Sequence, residues 1–217
     1  MSFPFKLMPN RESGINLIEL IVAIVLMSLV LLGFFSIELF SRHHVISTDR
    51  RAKVQNEISY AIEHMGKYVQ RANGNLTRRA IQYYPGPSSA GATGFRVYVD
   101  LHNPQTSSNF ADDGWIDYTL SSNTLIATCT PNGGSCPFTT PENLTSPSPY
   151  GKILSGVVAD NTMPQTPSNG FYIRITNQGT AVDVGLAGRY NPALADTPEN
   201  PQISMKTRLV CPSSSEQ

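Results

Sequence analysis

Charge is scarce in this chain and evenly matched. Only 15% of its 217 residues are charged, and the 16 Lys and Arg offset the 16 Asp and Glu, for a formal net charge of zero. No basic excess is available to neutralise a run of phosphates, so nothing global points to a nucleic-acid partner. Cysteine is nearly absent: three residues are too few for a disulfide scaffold. The signatures of catalysis are missing too. Ser, His and Asp are scattered, with no G-x-S-x-G, H-E-x-x-H or C-x-x-C, and the histidines stand at His43, His44, His64 and His102. Neither an enzyme activity nor a cofactor is expected. Alternation of strand and helix is also lacking, which excludes a parallel sheet with crossover helices.

What the chain does have is one long apolar block, Ile15 to Ile37, interrupted only by Asn16, Glu19, Ser28, Gly33 and Ser36. As a helix it would be roughly 34 Å long, enough to cross a hydrocarbon core of about 30 Å with some tilt. The block is longer than the apolar region of a cleaved signal peptide, and "FFSIELFSRHH" has no small-residue cleavage site. A plain signal anchor with Lys6 and Arg11 in the cytoplasm accounts for the span. The charge asymmetry supports it poorly, because Arg42, Arg50, Arg51 and Lys53 follow on the other side. It also leaves Glu19 unexplained, since a carboxylate in mid-membrane costs roughly 2.5–3.5 kcal/mol.

"SGINLIELIVAIVLMSLVLLGFF" resembles the processing and methylation segment of type IV pilins and type II secretion pseudopilins. Carried over by position, Gly14 is the last residue of a cytoplasmic prepilin leader (1–14), and Ile15 is the first mature residue and the site of N-methylation. Glu19 is the acidic assembly residue. Ile15 and Asn16 depart from the commoner Phe and Thr, but Gly14 and Glu19 match the pattern. A glycine suits a scissile bond because it discourages helix and lets an active site approach. Cleavage would free an α-amino cation with a pKa of about 8, and Glu19, four residues on, shares its helical face. The macrodipole favours a first-turn carboxylate by roughly 0.3–1 kcal/mol. The resemblance implies that this carboxylate pairs with the terminal amine of a neighbouring subunit, and methylation keeps the charge that pairing needs.

The resemblance also sets out partners and place. They are other pilin or pseudopilin subunits, a prepilin peptidase, an inner-membrane assembly platform and the lipid bilayer. The chain would be a single-pass protein of the bacterial inner membrane with its C-terminal domain in the periplasm, later moved into a pilus or pseudopilus. The two systems share the motif and are not told apart by it. The hairpin "WIDYTLSSNTLIATC" and the later "KILSGVVAD" look most like the larger minor subunits, J-type in secretion and W-type in pili. That favours a minor subunit at or near the filament tip. A major shaft pilin is the structural alternative, although the span lacks the mid-helix proline many of those carry. A membrane-anchored periplasmic binding protein is the alternative from another class.

From Val45 to Ala72, apolar residues recur at spacings of three and four (Val45, Ala52, Val54, Ile58, Ala61, Ile62, Met65, Tyr68, Val69, Ala72), predicting an amphipathic continuation (38–73) of the membrane helix (15–37). "NGN" at Asn73–Asn75 is a stop signal. Residues 74–217 are rich in Gly, Pro, Ser, Thr and Asn, enough for one modest core. "FRVYVDL", "WIDYTL", "TLIATCT", "GKILSGVVAD", "GFYIRIT", "AVDVGLAG" and "QISMKTRLV" read as strands, the second and third as a hairpin. The expected fold is α+β and pilin-like, a long N-terminal helix laid on an antiparallel sheet.

Cys129 and Cys136 flank the turn-like "TPNGGS", a spacing that a local bridge can close if this part lies outside the cytoplasm. Three reduced thiols, or a pairing through Cys211, stay open. "DDGW" (Asp112–Trp115) lacks the spaced acidic ligands of a calcium loop, and Asp-Gly is first a turn signal, so no metal is expected. The adjacent His43 and His44 point apart on a helix, and Arg42, Arg50, Arg51 and Lys53 read as a solvated face. The Asn75 and Asn143 "NLT" triplets are best read as chance.

Overall fold

A computed structural model describes residues 16–74, 78–86, 92–101, 111–121, 124–138, 140–145, 156–157, 167–168, 170–191 and 193–211. The chain falls into two compact units, Met1–Val45 and Ile46–Gln217. Helix α1 (Leu17–Val69) contributes to both. It opens on Asn16, whose carbonyl accepts from the amides of Glu19 at 2.9 Å and Leu20 at 3.1 Å. Glu19 in the first turn and Lys67 in the last complement the dipole. The helix stops four residues before the predicted Asn73. Arg71 and Ala72 turn back onto the carbonyls of Tyr68 and Val69, and the Asn73 amide is taken by the Tyr98 carbonyl at 2.8 Å.

In the second unit α1 buries one stripe, Val54, Ile58, Ala61, Met65 and Val69, at the spacing the sequence predicts. Val45 is 63% exposed and Ala52 is exposed as well, so the stripe begins later than the periodicity implied. The stripe is covered by two antiparallel sheets where one was expected. The first is a meander in the order β1 (Ile81–Tyr84), β2 (Gly94–Asp100), β3 (Asp113–Ser121), β4 (Thr124–Pro131), β5 (Glu142–Asn143). In the second, β10 (Gln202–Val210), β9 (Ala181–Arg189), β8 (Phe171–Thr176) and β7 (Pro167–Ser168) lie side by side, and β6 (Gly156–Val157) pairs with the end of β9.

The predicted hairpin is β3–β4, with Leu120 opposite Leu125. Strand β1 was not expected, because its Tyr83 and Tyr84 run into "PGP", which reads as a separator. Of "GKILSGVVAD" only residues 156–157 lie within the described residues, as β6. The β8–β9 connection is tight, with Gln178 at φ 57 and Gly179 at φ 95.

A single contiguous core joins the three layers. Phe95 stacks on Tyr118 with ring centroids 5.0 Å apart and approaches Phe171 of the second sheet at 6.4 Å. The Ile175 amide of β8 donates to the Tyr83 hydroxyl of β1 at 3.0 Å. At Gly94 a Cβ would sit 1.8 Å from the Tyr118 carbonyl oxygen, so only glycine lets β2 approach β3 there. Cys129 and Cys136 are bridged, with Cα atoms 5.8 Å apart. Cys211 is a buried thiol 3.0 Å from the Ala72 carbonyl oxygen.

Candidate functional site

The N-terminal unit is helix and little else among the described residues. Every residue from 16 to 46 is exposed, Leu17 and Phe34 each by 74%. α1 is long and apolar enough to cross a membrane, and none of its most apolar window is buried by the chain itself. The eighteen large apolar side chains between Leu17 and Phe40 represent on the order of tens of kcal/mol of transfer free energy. Against that, the roughly 3 kcal/mol that a lone carboxylate costs does not prevent insertion.

The other polar interruptions are settled locally. Ser28 Oγ donates to the Ile24 carbonyl at 2.8 Å and Ser36 Oγ to the Leu32 carbonyl at 2.9 Å, the back-bonding that lets a hydroxyl sit in an apolar helix. Glu38 pairs with Arg42 at 2.7 Å, beyond the predicted span. Glu19 sits exposed in the first turn, and its carboxylate accepts no hydrogen bond among the described residues. Gly14 and Ile15, the predicted cleavage pair, lie outside the described residues.

The second unit carries two polar constellations, of which the sequence reading touched only the "DDGW" segment of the first. The first lies on β2 and β3, whose antiparallel register pairs Arg96 with Asp117, Tyr98 with Trp115 and Asp100 with Asp113. Arg96 binds Asp117 through two parallel bonds of 3.0 and 3.1 Å. Its guanidinium also lies 4.7 Å from the Tyr84 ring and 4.9 Å from Trp115. Burial pushes the Asp117 carboxyl up, and Arg96 opposes that shift. Trp115 meets Tyr98 at 4.8 Å, and Arg78 lies 4.7 Å over the far ring while bonding its hydroxyl. The Asp100–Asp113 row is different: burial, then the charges of Asp100 and Asp112, push the Asp113 carboxyl up to about 6, with Tyr98 and Arg78 pulling the other way. The alternation of "FRVYVDL" carried the signal for this face, had its polar members been followed as well as its apolar ones.

The second constellation is centred on His64, whose ring is buried against Tyr68, Phe138 and Tyr118 at 4.9, 5.3 and 5.8 Å. Its Nδ1 is 3.1 Å from the Tyr118 hydroxyl and its Nε2 is 3.4 Å from Glu142, which accepts from Tyr60 at 2.8 Å. Desolvation lowers the His64 pKa and Glu142 partly restores it. All these polar atoms are engaged with one another, as in a satisfied core network.

The cysteine bridge has a structural position of its own. It closes the turn Asn132–Gly134, whose Asn132 amide donates to the Asp113 carbonyl at 3.0 Å. Cβ atoms on Gly133 and Gly134 would each lie 2.7 Å from a carbonyl oxygen, those of Ala111 and Asp112, so this turn is pressed against the segment that carries the acidic residues.

No protein-family model matches the sequence, and neither does any curated protein. Among solved structures the chain is similar to a type IV-like pilin from Thermus thermophilus, at 12% identity and a TM-score of 0.42, covering 73% of this chain and 97% of that one.

Proposed function

We propose that this protein is a minor pilin or minor pseudopilin, held in the inner membrane by α1, trimmed by a prepilin peptidase and built into a type IV filament at or near its tip. One observation carries the reading: Glu19 stands in the first turn of α1, at the head of a stretch to residue 37 that is nearly all apolar and wholly exposed, five residues after Gly14. Hydrolysis of the Gly14–Ile15 bond would release the leader and leave the Ile15 amine, which a methyl donor then modifies without loss of charge. Two unit charges 4 Å apart attract by about 4 kcal/mol at an effective dielectric of 20. That is comparable to the cost of Glu19 alone in hydrocarbon, so pairing with a neighbour's amine offsets the penalty and draws the subunit into the filament. The exposed apolar face from Leu17 to Phe40 would pass from lipid to the packed helices of other subunits. The minor rather than major role, and the tip position, rest on the likeness of the β3–β4 hairpin segment to J-type and W-type subunits.

The decisive experiment determines the N-terminus and mass of the chain in membranes, with and without co-expressed prepilin peptidase. The expected product begins at N-methyl-Ile15 and forms only with the peptidase. Glu19→Ala is then expected to be processed normally but to enter filaments poorly. A chain that keeps its leader beside an active peptidase identifies a plain anchor, and a processed Glu19→Ala chain that assembles as well as wild type removes the role given to the carboxylate.

A further inference from the structure

We infer that the open edge of β10 receives an extended strand of another protein, one that carries acidic side chains at two alternate positions beside Lys206 and Arg208. β10 has nine residues and stands at the end of the second sheet. The other end strands are short, four residues in β1 and two each in β5 and β7. The Cys211 amide donates to the Thr180 carbonyl at 2.8 Å. Continued along the ladder, that alternation turns the peptide groups of Ile203, Met205, Thr207 and Leu209 toward β9. Those of Gln202, Ser204, Lys206, Arg208 and Val210 then face the edge. At Gln202 the edge-facing amide is met by the Asp196 carboxylate at 3.1 Å. The amides and carbonyls of Lys206, Arg208 and Val210 have no hydrogen-bond partner among the described residues. A row of unpaired groups on a regular strand is a template for a further strand.

The edge is also held in place from behind. Ile203, Met205 and Leu209 pack against the core, and the Ser59 hydroxyl of α1 lies 3.8 Å from the Met205 sulfur. An incoming strand therefore meets a fixed ladder and bears little of the cost of ordering it.

The outer face selects the partner. Arg174, Asp183 and Arg208 form one row across β8, β9 and β10, alternating in sign, with Arg208 3.6 Å from Asp183. An acidic side chain on the next strand continues that alternation. In the neighbouring row Lys206 stands opposite Gly185, which offers no side chain, and Lys206 makes no ion pair among the described residues. Both cations are exposed. The same arrangement disfavours a second copy of this chain. Antiparallel pairing of two β10 edges would set Lys206 and Arg208 among their own counterparts, and like charges across strands destabilise a sheet. The two cations thus guard the edge against self-pairing and recognise an acidic strand. The surface uses neither the leader nor Glu19, so it stands whether or not the chain enters a filament.

The test uses the full chain in mild detergent micelles and two end-capped synthetic peptides, one alternating Val and Glu, the other Val and Lys. The expected result is saturable binding of the Glu peptide by fluorescence anisotropy, at least about tenfold tighter than the Lys peptide. Amide exchange at Lys206, Arg208 and Val210 should slow in the complex. Replacing both cations, Lys206→Glu with Arg208→Glu, should reverse the preference. Lys206→Pro removes only an edge-facing N–H, which a sheet edge tolerates, so it should keep the melting temperature near wild type and weaken binding more than Lys206→Gln does. Should Lys206→Pro fail to fold, Val210→Pro against Val210→Ala gives the same comparison. A folded wild type with no saturable binding of the Glu peptide up to about 1 mM overturns the site. Equal binding of the two peptides overturns the charge selection, and equal losses in the Pro variant and its control overturn the backbone pairing. Protection of the same amides in the chain alone, rising with its concentration, identifies a second copy and overturns the choice of partner.

Discussion

Helix α1 is apolar on all sides in its first part and along one buried stripe in its second, and two matched truncations measure the difference. Ile58 has no exposed surface and lies in the core. Ile24 is 57% exposed and is not a member of that core. Ile58→Ala removes buried methyl and methylene groups and leaves a space the surrounding layers only partly fill, costing about 2–5 kcal/mol. For a unit of the size of residues 46–217, each kcal/mol shifts the melting temperature by about 2–4 °C. The expected drop is therefore roughly 4–20 °C. Ile24→Ala should move it by less than about 1 °C, since no core contact is lost. Trp115 fluorescence and near-ultraviolet circular dichroism in micelles report the second unit without the large helical signal of the first. Equal shifts for the two variants, or an Ile58→Ala shift below about 1 °C, would refute the assignment of Ile58 to the core stripe.

Three further outcomes follow from contacts in the second unit. Arg96→Met strands Asp117, which is only 5% exposed, and should cost about 3–5 kcal/mol in a denaturant titration; Arg96→Lys should lose much of this too, because an ammonium replaces neither the bidentate bond nor the stacking on Tyr84 and Trp115. Since the His64 pKa is lowered in the folded state, the unfolded chain binds the proton more readily, and stability falls as pH drops through about 6.5 toward the folded pKa; His64→Gln should flatten that part of the pH–stability curve measured by thermal melts from pH 7.5 to 5. Replacing Cys129 and Cys136 by Ser opens a short closed loop and should lower stability by about 2–3 kcal/mol, read as a fall in denaturation midpoint that reducing agent reproduces in wild type and not in the double variant.

The parts of this fold that were legible in the sequence are those that depend on neighbours in the chain. The 3–4 spacing of Val54, Ile58, Ala61 and Met65 is a property of one helix, and the β3–β4 hairpin closes over a few residues. The division of the strands into two sheets was not legible, because it depends on which strands share an edge. β1 was missed for a related reason: Tyr83 and Tyr84 precede proline, and their strand character comes from pairing with Phe95 and Gly94. The roles proposed for Gly14 and Glu19 come from a resemblance, and periodicity alone would have given only an apolar span.

The polar sites show the same division more sharply. "DDGW" in isolation is a turn with two acidic residues. What changes its meaning is Asp100, brought opposite Asp113 by the antiparallel register of β2 and β3. His64, on a helix carrying two other histidines, has nothing local to distinguish it, yet Tyr118 and Glu142 from two different strands converge on its ring. In both cases the local pattern places a side chain on a face, and the partner comes from a strand far away in sequence. A carboxylate buried without a partner is costly wherever it occurs. For Glu19 in hydrocarbon the proposed remedy comes from the terminal amine of another subunit, so replacing the carboxylate should weaken assembly while leaving the second unit as stable as before.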